Sequence, residues 1–138
     1  MMAASETNIL DVREVYVHYG IVPALTDVSL YSNEGEIVTL LGANGAGKTS
    51  TLNAIYRVLP LSGGEICFCG RNINGLTPQE LVGLGICYVP ERIKAFDSMS
   101  VMDNLILGSY VRRRKGKKEE IEKDLISVFS LFPVLARY

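Results

Sequence analysis

Gly42-Ala43-Asn44-Gly45-Ala46-Gly47-Lys48-Thr49 fits the phosphate-loop pattern G-x-x-x-x-G-K-[ST] at every position, and it decides how the rest of the chain is read. A polyphosphate carries several negative charges, so a loop around it must turn successive backbone N–H groups inward. Bulky Cβ groups obstruct that concave path, and Gly42, Gly45 and Gly47 remove the obstruction. Lys48 supplies a mobile point charge for the β- and γ-phosphates. The Thr49 hydroxyl has the length to ligand a Mg²⁺ bridging them, and Ser50 adds a second hydroxyl. A nucleoside triphosphate site follows, which an ATPase, a GTPase or a small-molecule kinase would share.

The flanks supply the strand-loop-helix context that such a loop needs. Gly35-Glu36 reads as a turn into the apolar run Ile37-Val38-Thr39-Leu40-Leu41, expected to be a central strand of a parallel sheet, buried on both faces. A helix is expected from Lys48 through Leu52, Ile55, Tyr56 and Leu59 until Pro60 stops it, with its N-terminal N–H groups facing the phosphates.

A chain of 138 residues with 48% hydrophobic and 21% charged residues has globular composition and is long enough for one domain, or part of one. Its net charge of −1 gives no general attraction to nucleic acid or to an anionic membrane. No apolar run approaches a membrane span, and the start, Met1 to Asn8, lacks a secretory signal, so a cytoplasmic location is expected. Cys67, Cys69 and Cys87 have no zinc-ligand spacing and read as small strand residues. His18 lies in an alternating apolar stretch and reads as structural.

Leu10 to Tyr19, with Val12, Val15, Val17 and Tyr19 in near alternation, and Asp27 to Tyr31 predict half-buried strands of a small antiparallel sheet. A short strand from Glu65 to Gly70 is expected to enter a turn over Arg71-Asn72-Ile73-Asn74-Gly75, where Asn and Gly take left-handed conformations. Thr77-Pro78-Gln79-Glu80 is a capping box, so a helix should start there and end at Gly83 or Gly85. Ile86 to Val89 is expected to be a second buried strand delivering Pro90 and Glu91. Ser100 caps a helix with Val101, Leu105 and Ile106 inward. The run Arg112-Arg113-Arg114-Lys115-Gly116-Lys117-Lys118 offers charge to headgroups or nucleic acid, but beside Glu119, Glu120 and Glu122 it reads as a solvated loop. A last helix from about Glu119 carries Ile121, Leu125, Val128, Phe129 and Phe132 on one face and a Glu119 to Lys123 pair on another, until Pro133 closes it.

Taken together, these segments strongly resemble the ATP-binding subunit of ABC transporters, from Val17-His18-Tyr19-Gly20 to the C-terminus. The resemblance implies an α/β fold, the P-loop NTPase core of an ABC nucleotide-binding domain with a small antiparallel β subdomain and the start of the helical subdomain. It implies one C-terminally incomplete domain, with about 1–34 as the β part, 35–95 as the core and 96–138 as the helical part. By the same resemblance Tyr19 stacks on adenine, with a strand-end tyrosine partly covering the core as the blander reading. Gly42, Asn44, Gly45, Ala46, Gly47, Lys48, Thr49 and Ser50 hold ATP. Glu91 stands where the family has a glutamine that contacts Mg²⁺ and the attacking water, so Lys48 and Glu91 are implied as catalytic, and Thr49 and Glu91 as metal ligands. The glutamate, the Leu41–Thr49 run and Ser100-Val101-Met102-Asp103-Asn104-Leu105 resemble the branch serving branched-chain amino acid importers. That branch usually follows the glutamate with glycine and arginine, where this chain has Arg92-Ile93.

Leu61-Ser62-Gly63-Gly64-Glu65 looks like the family's LSGGQ signature but follows the phosphate-loop helix at once, so it is read as a turn into the Ile66 strand. The signature, the second acidic strand and the switch histidine would come after Tyr138. The resemblance therefore implies ATP and Mg²⁺ as cofactors, with weak or no turnover by this chain alone. Implied partners are transmembrane permease subunits and a second ATP-binding subunit, with no nucleic acid, on the inner face of the plasma membrane. Urea, amide and lipopolysaccharide systems use similar ATPases, and a nucleotide-binding fragment without turnover is the alternative reading.

Overall fold

The computed structural model describes residues 8–92, 95–114 and 117–137, which separate into two compact units dividing after Tyr88. Each is described by itself. The first eight residues but Asn8, and Ile93, Lys94, Lys115, Gly116 and Tyr138, lie outside the described residues. The expectation that the N-terminus carries no signal, and the middle of the basic run, fall there.

In the first unit, β1 (Leu10–Tyr19) is the strand on which the others assemble. It pairs antiparallel with β2 (Val22–Ser32) on one side and β3 (Gly63–Phe68) on the other; β3 then pairs with the two-residue β4 (Arg71–Asn72), giving the order β2-β1-β3-β4. The sheet thus draws strands from both sides of the phosphate loop. The register of β1 slips on both sides between residues 12 and 16, where Glu14 has φ 47°. This bulge adds one residue to β1, so Val12, Val15 and Val17 are all buried despite their uneven spacing. Gly64 lies against the bulge at φ +86°, and a Cβ there would stand 2.3 Å from the Glu14 carbonyl oxygen. Gly63 faces the Tyr16 ring at 3.2 Å on the same measure. The double glycine of the signature-like stretch therefore lies within β3, not in a turn, and at Gly64 the neighbouring backbone leaves no room for a side chain.

Helix α1 (Lys48–Ile55) contributes Ala54, and α2 (Pro78–Leu84) contributes Leu81, to the same core as the β1 valines, Leu25, Ile66 and Ile73. Each fully buried aliphatic side chain contributes about 1.5–3 kcal/mol by leaving water. Both arms of the expected capping box of α2 form: the Thr77 hydroxyl accepts from the Glu80 N–H, and the Glu80 carboxylate accepts from the Thr77 N–H at 2.8 Å. Those bonds hold the Glu80 carboxyl below its ordinary pKa.

Four further sequence expectations change in this unit. Residues 37–41 form no strand and make no backbone hydrogen bond among the described residues; Ile37 is 92% and Leu41 88% exposed. Residues 86–88 likewise form no strand. A central strand of a parallel sheet has a neighbour on each side, and the four strands among the described residues pair with one another instead. Helix α1 ends at Ile55 rather than near Pro60, because Arg57 takes φ 60°. Its N–H reaches the Ala54 carbonyl (3.1 Å) and that of Val58 the Asn53 carbonyl (2.9 Å), the two bonds of a Schellman stop. Finally, the left-handed residues after β3 are Cys69 and Gly70, the tight-turn pair between Phe68 and Arg71, and not Asn72 or Asn74. Of the cysteines, only Cys67 therefore lies in a strand.

The second unit is helical. α3 (Val101–Gly108) is capped by Ser100, whose hydroxyl accepts from the Asp103 N–H at 3.1 Å. Asn104 anchors the preceding loop: its Oδ1 accepts from the Phe96 N–H at 2.9 Å and its Nδ2 donates to the Ser100 carbonyl at 2.9 Å. α4 (Tyr110–Arg114) and α5 (Lys118–Leu131) take up both ends of the basic run expected to be a loop, and Arg112 pairs with Asp124. On α5, Ile121 is buried and Phe132, just beyond its end, is 56% exposed. The expected Glu119 to Lys123 pair does not form; Lys117 and Glu120 pair instead at 3.0 Å. Residues 89 and 90 form no strand, and Val89 is 73% exposed.

Two outcomes follow for stability and association. Arg57→Gly removes a Cβ from a left-handed residue and withdraws a guanidinium whose Nε and Nη1 are buried with no hydrogen-bond partner among the described residues, burial also lowering its pKa. It is expected to stabilise the protein by about 1 kcal/mol, read as a higher urea midpoint. The exposed apolar run at 37–41 is expected to drive concentration-dependent association, and Ile37→Lys to reduce it in sedimentation or light-scattering measurements.

Candidate nucleotide site

The phosphate loop leads directly into α1, with Gly47 as the helix cap at φ +88°. Gly45 is also left-handed, at φ +86°. No side chain caps this helix and its first turn holds no acidic residue. Among the described residues, no acceptor meets the N–H groups of Lys48, Thr49 and Ser50; the first bond, from the Thr51 N–H, returns to the Gly47 carbonyl at 2.8 Å. Those uncapped donors, at the positive end of the helix, suit an anion.

Lys48 closes the other side of the loop. Its Nζ donates to the Gly42 carbonyl at 2.8 Å and the Ala43 carbonyl at 2.7 Å. An ammonium has three donors, so one remains for a further acceptor. The Thr49 and Ser50 hydroxyls make no hydrogen bond among the described residues, whereas the Thr51 hydroxyl donates back to the Gly47 carbonyl at 3.0 Å. Anionic phosphate fits this set: free N–H groups, a residual ammonium donor and no carboxylate. No group of three or more His, Cys, Asp or Glu side chains able to hold a metal is found among the described residues. A divalent cation here would take Thr49 and otherwise depend on oxygens of the phosphates.

The floor of the loop comes from β2, which the sequence reading did not assign. A Cβ on Gly47 would lie 3.0 Å from Leu25 Cδ2 and 3.4 Å from the Ala24 carbonyl oxygen. Leu25 opposes Val17 of β1, and Tyr19 lies two residues further along, about 7 Å by strand geometry. Tyr19 pairs with Val22 at the end of the β1–β2 hairpin and is 54% exposed. The apolar alternation in the sequence covers Val28 and Leu30 and stops short of Leu25, which a slip of register carries onto the same side. Glu91 belongs to the second unit, exposed and outside any helix or strand.

Comparison with known proteins places these features. The sequence profile of the ABC transporter family matches residues 25–133. The chain is 34% identical over 126 residues to the high-affinity branched-chain amino acid transport ATP-binding protein BraG of Pseudomonas aeruginosa, covering 91% of this chain and 52% of that protein. It is also 34% identical over 125 residues to the spermidine/putrescine import ATP-binding protein PotA of Legionella pneumophila, covering 91% of this chain and 33% of that one. The crystal structure of the ADP conformation of MJ1267, an ATP-binding cassette of an ABC transporter, superposes with a TM-score of 0.68 at 29% identity over 75% of this chain and 41% of that one. The chain belongs to the ABC transporter family and has the α/β fold of its ATP-binding cassettes. It spans about half the length of BraG and less of the others.

Gly47→Ala places a side chain on a left-handed residue against the buried Leu25. It is expected to destabilise the first unit by about 2 kcal/mol, read in urea unfolding, and to disturb the loop wherever anion binding is measured.

Proposed function

We propose that this chain binds ATP with Mg²⁺ as part of the ATP-hydrolysing subunit of an ABC importer. The observation that carries the reading is the convergence of free N–H groups of α1 with the Lys48 ammonium around one glycine loop. Gly42, Asn44, Gly45, Ala46 and Gly47 wrap the phosphates with backbone donors, Lys48 neutralises them, and Ser50 adds a hydroxyl. Thr49 ligands the metal, which when bound offsets phosphate charge. Tyr19, exposed at the hairpin end, stacks on adenine. Glu91 takes the role of the family's glutamine toward Mg²⁺ and the attacking water and links nucleotide state to the membrane subunits.

In this reading residues 1–138 are one incomplete ATP-binding domain that works beside a second ATP-binding subunit and transmembrane permease subunits, on the cytoplasmic side of the membrane. No described helix is long and apolar enough to cross it. The kinship with a branched-chain amino acid system supports that cargo, and a polyamine relative of equal identity keeps the cargo a property of other subunits. A second reading, nucleotide binding without turnover by this chain, is favoured by residues 37–41, whose backbone is unpaired just ahead of the loop.

Titration with a fluorescent ATP analogue and Mg²⁺, with folded content followed by circular dichroism, is expected to show saturable binding that Lys48→Ala weakens by about ten- to a hundredfold. A folded chain that binds no nucleotide would refute the proposal. Steady-state phosphate release abolished in Lys48→Ala would decide against the second reading.

A further inference from the structure

Beyond residue 16 β1 is paired with β2 alone. Tyr16 opposite Gly63 is the last β1–β3 pair, and the last backbone bond on that side runs from the Ser62 N–H to the Tyr16 carbonyl at 2.8 Å. Toward β2 the register slips between Val17 and His18, and His18 is paired with Pro23, which has no N–H to give the ladder. The strand nevertheless continues to Tyr19 before the Gly20-Ile21 turn. What spans the gap on the β3 side is a side chain: His18 Nδ1 lies 2.6 Å from the Ser62 hydroxyl oxygen. Either neutral tautomer satisfies this bond, the hydroxyl donating to a bare Nδ1 or accepting from Nδ1–H.

We propose that the His18–Ser62 hydrogen bond is a brace that positions Tyr19 for the nucleotide base, so that His18 and Ser62 tune recognition of the base without touching phosphate. This rests on the reading of Tyr19 as the stacking residue. His18 is a neighbour of Tyr19 in a strand, where successive side chains point to opposite faces, so the brace and the ring occupy different sides of the hairpin. The same bond gives Ser62, in the signature-like stretch, a local role at the base end of its own subunit's site.

The test combines two measurements on the whole chain, in wild type, His18→Ala, Ser62→Ala, the double variant, His18→Asn and Tyr19→Ala. Amide exchange reads the brace: His18→Ala and Ser62→Ala are expected to speed exchange at residues 19–22 and leave Val12 and Ile66 protected, while His18→Asn, which can return an amide to the Nδ1 position, restores protection. Affinity reads the consequence: Mg²⁺-ATP binding is expected to weaken about two- to tenfold in each alanine variant, with no further loss in the double variant, and Mg²⁺-tripolyphosphate binding to be unchanged. Unchanged exchange at 19–22 would overturn the brace. So would an equal loss of ATP and tripolyphosphate affinity, or unchanged ATP affinity in variants whose hairpin exchanges faster. Tyr19→Ala with full ATP affinity would overturn the stacking reading, and the positioning role with it, while the exchange data report separately whether the brace exists.

Discussion

The first unit depends on one extra residue in β1. With strict alternation Val12 would share a face with residues 14 and 16, not with Val15 and Val17. The bulge at Glu14 absorbs the odd step and turns all three valines into the core, where they meet Leu25, Ile66, Ala54 and Leu81. It also dictates its surroundings. Ser29 of β2 caps the bulge by accepting the Glu14 N–H at 2.9 Å, and β3 must bring a residue without a side chain against the displaced carbonyl. The register of both neighbouring strands and the glycine at position 64 follow from that local shift.

The phosphate loop is built on the consequence. Because β1 and β2 are in register at Val17 and Leu25, a leucine side chain lies directly beneath Gly47 and limits what the loop can contain. The helix that follows keeps its first N–H groups free of side-chain caps, whereas α2 and α3 both use hydroxyl caps from the chain itself. α5 also lacks a side-chain cap but carries Glu119 and Glu120 in its first turn, whereas the first turn of α1 holds no acidic residue and leaves its donors to an external anion.

Much of this was legible in the sequence where the physics is local. The glycine and lysine spacing located the loop and the start of α1, and Thr77 with Glu80 located α2, since a cap is a contact over three residues. The reading failed where the outcome depends on distant strands or on an unusual residue. Residues 37–41 have the composition of a buried strand, yet pairing is a property of neighbours that the run itself does not contain. The stop of α1 was missed because the left-handed position is filled by Arg57 instead of glycine. The candidate site was visible as a composition, Gly42 to Ser50, but the Leu25 floor and the His18–Ser62 contact join residues 22 and 44 positions apart and leave no pattern along the chain.

The anchoring of the loop before α3 sets a mechanical limit on the segment ahead of it. Asn104 ties Phe96 to the helix by bonds to both its N–H and its carbonyl, at 2.9 and 3.2 Å. Glu91 is five residues upstream, and a fully stretched chain advances about 3.5 Å per residue, so its backbone stays within roughly 17 Å of that point. Glu91 is thus a group on a short tether with its far end pinned to a helix. Whatever the Glu91 carboxylate serves therefore lies within that reach of the start of α3, give or take the length of its own side chain.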